Sequence, residues 1–186
     1  MILYEPILFP PTPRATTAST ILAADALNRR YQWESYENAG KALKNRGIFS
    51  AMDSRAFHGY IYGGMVEHKN GNWVELKCSP QVESKMFDQP HVSIWNDLKE
   101  IKCKTLVLCG SSSTHLQGYA VYKDTPELFQ DMSTYFTNST FQVMQNTGHF
   151  GPLERSQEFS NVIFDFLNEV EEDIILKKNN NNSSKL

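Results

Sequence analysis

Between Thr140 and Glu154 the chain reads TFQVMQNTGHFGPLE, and no other stretch constrains the fold as tightly. Phe141, Val143 and Met144 suit a short buried strand, and Asn146-Thr147-Gly148 breaks it. His149 follows at once. From Phe159 the apolar residues recur as Phe159, Val162, Ile163, Phe166, Leu167 and Val170, the spacing of one helix face. A strand, a Gly-His loop and an amphipathic helix in that order place an imidazole at the carboxyl edge of a sheet. Open α/β sheets bind ligands along that edge. A Gly-His pair alone reads better as a loop histidine of no chemical role, and the surrounding pattern is what gives it a functional reading.

The remainder of the chain supplies the partners such a strand needs. Thr105 to Cys109 (TLVLC) is an apolar run ending at Gly110, the pattern of a parallel strand buried on both faces. Thr125-Pro126 opens a helix with Leu128, Phe129 and Met132 inward, so residues 104–109 and 140–145 are joined by a helical crossover, a βαβ unit. Met1 to Phe9 is β-rich and stops at Pro10-Pro11; it reads as a buried strand, which is unusual at the first residue of a chain. Between it and Thr105 the pattern is mainly helical. Ala15 to Arg30 places Ile21, Ala24, Leu27 and Asn28 on one face, Ser35 caps a helix ending at Gly47, and Asp53 caps one ending at Gly63-Gly64. Asn70-Gly71 marks a turn, Trp73 to Cys78 alternates like a half-exposed strand, Ser79-Pro80 starts another helix, and Trp95 and Leu98 sit on the next helical segment. Lys177 to Leu186 is a polar, asparagine-rich tail with too little apolar surface to fold.

Composition excludes several classes of function. A net charge of -3 with scattered basic residues leaves no footprint for nucleic acid. Cys78, Cys103 and Cys109 lack metal-ligand spacing and read as free thiols of a reducing compartment, and neither a metal nor another cofactor is expected. No apolar run approaches the ~18 residues of a membrane span. MILYEPILF lacks a basic leader and is interrupted by Glu5-Pro6, so it does not read as a signal peptide. A soluble intracellular globule of 186 residues is the expectation, as about one domain.

LYEPILFPP, NRRYQWESYENAGKALKNRGIFSAMDSRAFHGYIYGG, WVELKCSPQVE, IKCKTLVLCG and GHFGPLE together resemble the second half of an α/β-hydrolase. The resemblance runs from about Met1 to Val170. It implies a partial α/β-hydrolase fold: three parallel strands with flanking helices from residues 1–13 and 99–176, a helical cap over the site from residues 14–98, and a disordered tail from 177–186. The family uses a Ser-acid-His triad, and His149 matches its histidine. The nucleophile's Gly-x-Ser-x-Gly elbow, the oxyanion-hole loop and the family's first five strands have no counterpart here. Gly110-Ser111-Ser112-Ser113 is no substitute, because it follows a different strand and lacks the closing glycine. The usual acid position, Ser111 to His115, holds no carboxylate. A minority pattern, seen in some haloalkane dehalogenases, places the acid one strand earlier, where Glu5 stands. A carboxylate leaving a buried strand needs a partner. Glu5 either orients His149 or caps backbone N–H groups of the following loop, and Asp124 is a remoter alternative acid.

The other histidines carry less. His58 and His68 read as structural or solvated, His91 as a helix start, and His115 as a possible liner of the site; Tyr60 and Trp95 face substrate or core, with core the better fit. Two functions are compatible with these residues. One is hydrolysis of an ester or related bond in a small apolar substrate, the chain by itself being inactive for want of a nucleophile. The other is a non-catalytic ligand-binding or assembly protein, either a pseudoenzyme or half of a split pair, with self-association or a complementing chain expected from the open edge of the first strand. Ser184-Lys185-Leu186 reads as a peroxisomal address bound by an import receptor, with a cytoplasmic location if it is not read.

Overall fold

The computed structural model describes residues 1–8, 17–88, 94–114 and 123–183. In chain order the strands are β1 (Ile2–Tyr4), β2 (Gln32–Trp33), β3 (Met65–Glu67), β4 (Val74–Leu76), β5 (Thr105–Gly110) and β6 (Ser139–Met144). The α-helices are α1 (Thr17–Asn28), α2 (Tyr36–Leu43), α3 (Ser54–Gly64), α4 (Pro80–Phe87), α5 (Thr125–Thr134), α6 (Gly151–Glu154) and α7 (Ser156–Ser183), with 3-10 segments at Gly47–Ser50 and Trp95–Glu100.

β5 is buried at every position, as its continuous apolar run requires of a strand covered on both faces. It lies in the middle of a parallel sheet of order β1-β5-β6, with Ile2 opposite Leu106 and Thr105 opposite Ser139. The pleat sends Val107 and Cys109 one way, into a cluster with Leu128, Phe129, Met132, Trp95 and Leu98. Leu106 and Leu108 point the other way, onto Phe166, Phe159, Val162 and Val170 of α7. The two faces of one strand thus hold α5 and α7 in opposite layers. Lys104, at the foot of β5, ties α7 down through Asp173 at 3.0 Å and Glu169 at 3.2 Å.

Several sequence expectations change in detail. The first strand stops at Tyr4 instead of running to Phe9: Glu5 takes a left-handed backbone (φ 38°) and Pro6 has no N–H to offer a ladder. β6 is an edge strand with Thr140 and Gln142 exposed, so it is half-covered and not fully buried. α1 turns its small residues inward. Ala23 and Ala26 are buried while Ile21 and Leu27 stay more than half exposed, because α1 packs closely on α4 and only short side chains fit between them. α2 ends at Leu43, four residues before Gly47; Asn45 adopts the left-handed region (φ 62°) that ends a helix.

The stretch between β1 and β5 has its own apolar cluster of Trp33, Ala39, Ile61, Met65, Val74 and Leu76. Besides its helices it carries an antiparallel sheet of order β2-β4-β3, closed by the Asn70-Gly71 turn. The capping residues Ser35, Asp53 and Ser79 each accept a backbone N–H at the start of α2, α3 and α4. Beyond Leu176, α7 continues as helix where the composition predicts a disordered tail. Its residues through Asn180 are exposed, so the segment buries nothing, and helix propagates because each added residue costs little once the turn before it is formed. Ser184, Lys185 and Leu186, like His91 and His115, lie outside the described residues. Among the described residues, no helix is long and apolar enough to cross a membrane.

Candidate active site

Parallel pairing brings the carboxyl ends of β1, β5 and β6 to one edge. Each contributes one part of a polar cluster. At the end of β1 the Glu5 N–H still bonds the Leu108 carbonyl at 2.9 Å, and then the chain turns through its left-handed φ. That backbone conformation costs a non-glycine residue about 1–3 kcal/mol, the kind of strain that concentrates at functional sites. It places the Glu5 side chain in the interior, with no exposed surface.

Three groups converge on the Glu5 carboxylate. Oε1 accepts the Gly110 N–H at 2.8 Å, and Oε2 accepts the Ser113 hydroxyl at 2.7 Å and meets His149 Nδ1 at 2.6 Å. The Gly110 N–H can only donate and an ionised carboxylate can only accept, so beside an ionised Glu5 the proton on this side of the ring sits on Nδ1. Glu5 therefore contacts His149, while the backbone N–H it accepts belongs to the end of β5 and not to the loop that follows β1. Asp124 is instead the N-cap of α5, accepting the Glu127 N–H at 2.9 Å.

Gly110 is needed where it stands. A Cβ there would overlap the Thr147 carbonyl, because the end of β5 runs directly beneath the loop that carries His149. The same loop is held by Ser112, whose N–H bonds Thr147 O at 2.9 Å, and by the Tyr4 hydroxyl, which donates to Gly148 O. Burial, and after it the Glu5 and Glu154 carboxylates, push the Tyr4 phenol well above its ordinary range, so it remains a donor. Burial likewise pushes the Cys109 thiol up to about 12, which makes it an inert core residue.

Over His149 lies a cavity of about 300 Å³ lined by Gly47, Ile48, Ala51, Ser112, Thr114 and Phe150, among others. Its far wall, the Gly47–Ser50 segment and Ala51, belongs to the stretch between β1 and β5. That stretch is tied to the histidine loop by the Asp53 N–H, which donates to Leu153 O at 2.8 Å. With Nδ1 given to a carboxylate, the basic nitrogen of the ring is Nε2. Such an imidazole can take a proton from an attacking hydroxyl and return it to a leaving group.

The structure thus brings together the two residues singled out in the sequence, His149 and Glu5. It adds Ser113, Tyr4 and Glu154, which sequence reading missed as parts of the site. Ser113 gave a weak signal, being in the region where an acid was sought. His58 packs on Tyr62 with ring centroids 4.4 Å apart and His68 stacks on Trp73 at the same separation, both away from this edge. Tyr60 packs on Phe49, and Trp95 is buried in the core. Among the described residues no group of three or more His, Cys, Asp or Glu stands close enough to hold a metal ion.

A three-stranded parallel sheet between helical layers, with a histidine on the loop after its last strand, defines a partial α/β-hydrolase fold. The solved structures that share it include the peroxisomal α/β-hydrolase Lpx1 of Saccharomyces cerevisiae (TM-score 0.62, 13% identity, 95% of this chain and 47% of that one). Another is E-2-(acetamidomethylene)succinate hydrolase (TM-score 0.63, 13% identity, 90% of this chain and 57% of that one). The chain therefore spans about half the length of these structures. Among curated proteins it is 27% identical, over 92% of its own length and 74% of theirs, to the abhydrolase domain-containing proteins ACTT2-1 and ACTT2-2 of Alternaria alternata. No family model matches the chain.

Proposed function

We propose that His149, oriented by Glu5, is the general base and acid of a hydrolase that cleaves an ester or related acyl bond in a small, largely apolar substrate. The observation that carries this reading is the 2.6 Å contact between Nδ1 and a fully buried carboxylate at the carboxyl edge of the sheet. Ile48, Ala51 and Phe150 give the cavity over the imidazole its apolar lining, which suits an acyl or alkyl group. The reaction also needs an attacking hydroxyl. The 186 residues contain no Gly-x-Ser-x-Gly, and the reading assigns that hydroxyl to polypeptide other than these residues. By themselves they are then inactive toward esters.

Two assays test it. The purified chain should not turn over short-chain p-nitrophenyl esters, and turnover abolished by His149→Ala would place a nucleophile within it. In a form extended by in-frame upstream coding sequence that supplies the elbow, His149→Gln should lower kcat by about 10²–10⁴, the usual worth of a general base. Full activity of that variant would remove His149 from the mechanism.

A second reading keeps the cavity without the chemistry. A further pocket of about 400 Å³ opens between α2 and α3, walled by Phe49, Phe57 and Tyr62. As a non-catalytic binding protein, the chain would gain thermal stability with fatty acyl compounds, and an unchanged melting temperature across such a panel counts against it.

For location we propose peroxisomal import through Ser184-Lys185-Leu186. An N-terminal fluorescent fusion should be punctate with peroxisomes, and diffuse once those three residues are removed. A diffuse signal from the intact, folded fusion defeats the assignment.

A further inference from the structure

Glu154 lies five residues past His149 in sequence, and its two carboxylate oxygens reach back to opposite sides of the histidine. Oε2 accepts the Gly148 N–H at 2.7 Å and Oε1 accepts the Phe150 N–H at 3.1 Å. The peptide unit between these two is held from the other side, by the Tyr4 hydroxyl on Gly148 O. Three consecutive peptide units, the ones entering Gly148, His149 and Phe150, are therefore each pinned. The two that flank the His149 Cα set its φ and ψ, and with them the direction of its Cα–Cβ bond. That direction decides whether Nδ1 meets Glu5.

A local helix cap would look different. Phe150 is the N-cap of α6 and has no side-chain oxygen to cap with, so the bond from Glu154 to the Phe150 N–H is all that a cap would require there. The second oxygen goes past it, across the histidine, to Gly148. Gly148 is shaped for that approach: a Cβ there would lie 2.9 Å and 3.2 Å from the two Glu154 oxygens. Tyr4 and Glu5 are neighbours at the end of β1, so one strand end supplies both the hydroxyl that holds the loop and the carboxylate that holds the ring.

We propose that Glu154, together with Tyr4, is a positioning residue that fixes the His149 imidazole against Glu5 by clamping the backbone on both sides of the ring. The clamp acts through His149, and Glu154 also lines the cavity beside the ring. It rests on the pairing of Glu5 and His149 as base and orienting acid, but its test does not depend on turnover. A short N–H···O contact to a carboxylate gives a proton resonance at very low field, and the ring's ¹⁵N shifts report its tautomer.

In chain labelled at histidine, the unsubstituted protein should show the Nδ1–H tautomer and a low-field His149 proton. Glu154→Ala should move that resonance upfield by more than about 1 ppm or broaden it, mix the tautomers, and speed amide exchange at Gly148 and Phe150 by at least about tenfold, from loss of charge-assisted bonds. Glu154→Gln keeps the shape and one acceptor oxygen, so it should release one of the two amides and shift the resonance less. Tyr4→Phe removes the bond to Gly148 O and the hydroxyl's bond with the Gly151 backbone, and should weaken the signal without freeing the Gly148 or Phe150 amide. Leu98→Val, a core truncation remote from the loop, controls for general loss of stability and should leave the resonance in place. If Glu154→Ala fails to fold, Glu154→Gln and Tyr4→Phe carry the test alone. An unchanged low-field proton and tautomer in the Glu154 variants, whatever happens to the melting temperature, would reduce Glu154 to a helix cap and overturn the proposal. Absence of the resonance in the unsubstituted chain would instead overturn the Glu5–His149 pairing, and the clamp with it.

Discussion

Ser113 shows how much one small side chain can decide at the level of the residue. Its hydroxyl donates to a Glu5 carboxylate whose side chain has no exposed surface and which, among the described residues, also meets the Gly110 N–H and His149. Removing one donor from a buried charged acceptor leaves it under-solvated, at a cost of about 1–3 kcal/mol. Ser113→Ala should lower stability by that amount in a urea titration, and Ser113→Thr should recover much of it. An alanine variant as stable as the parent would show that the bond contributes nothing. Cys109 offers a second check. The folded thiol ionises only near 12, against an ordinary 9, so across pH 9–12 the folded state keeps a proton that the unfolded chain gives up. Stability contributed by this group is whole below pH 9 and is lost as pH rises through that window. At pH 8 a thiol reagent should modify exposed Cys78 and Cys103 in the native chain and reach buried Cys109 only on unfolding.

Among the elements, α1 makes the sharpest test, because its apolar pattern and its packing disagree. Apolar spacing favours a face bearing Ile21, Ala24 and Leu27, yet Ala23 and Ala26 are the residues buried, and Arg29, just past the helix, bonds Glu83 of α4 at 2.6 Å. Ala26→Leu should therefore overpack the α1–α4 contact and cost about 1–3 kcal/mol. Leu27→Gln should stay within about 0.5 kcal/mol, as an exposed substitution does. The reverse order in a thermal-unfolding comparison would restore the face read from the sequence.

At the scale of the whole molecule, the sheet has two edges, and β1, one of them, pairs with β5 alone among the described residues. Its free N–H and C=O groups can template pairing with another chain. Exposed apolar surface elsewhere adds to this: Ile21, Leu22 and Leu27 of α1 and Phe164 and Leu167 of α7 are between 45% and 62% exposed. Covering even a few hundred Å² of such surface is worth several kcal/mol at ~25 cal/mol per Å². The isolated chain should elute from size exclusion as an oligomer or a broad distribution, and should sharpen when a complementing chain is supplied. A monodisperse monomer with a reversible transition would remove that expectation.

Local structure was written within short windows of the chain. Buried β5, the caps at Ser35, Asp53 and Ser79, the Asn70-Gly71 turn and the helix after His149 were all legible, because capping, turn chemistry and apolar periodicity act over a few residues. The sequence also singled out Glu5 and His149, though the choice between orienting the ring and capping a backbone N–H stayed open. Which groups Glu5 meets is visible only in three dimensions, since its partners lie 105 to 144 residues away and come together through parallel pairing. The short β1, the small-residue face of α1 and the clamp by Glu154 and Tyr4 were hidden for the same reason. A left-handed φ at a glutamate, the separation of two packed helices, and a carboxylate that spans a neighbouring loop are set by what lies across the core. No window of sequence contains that information.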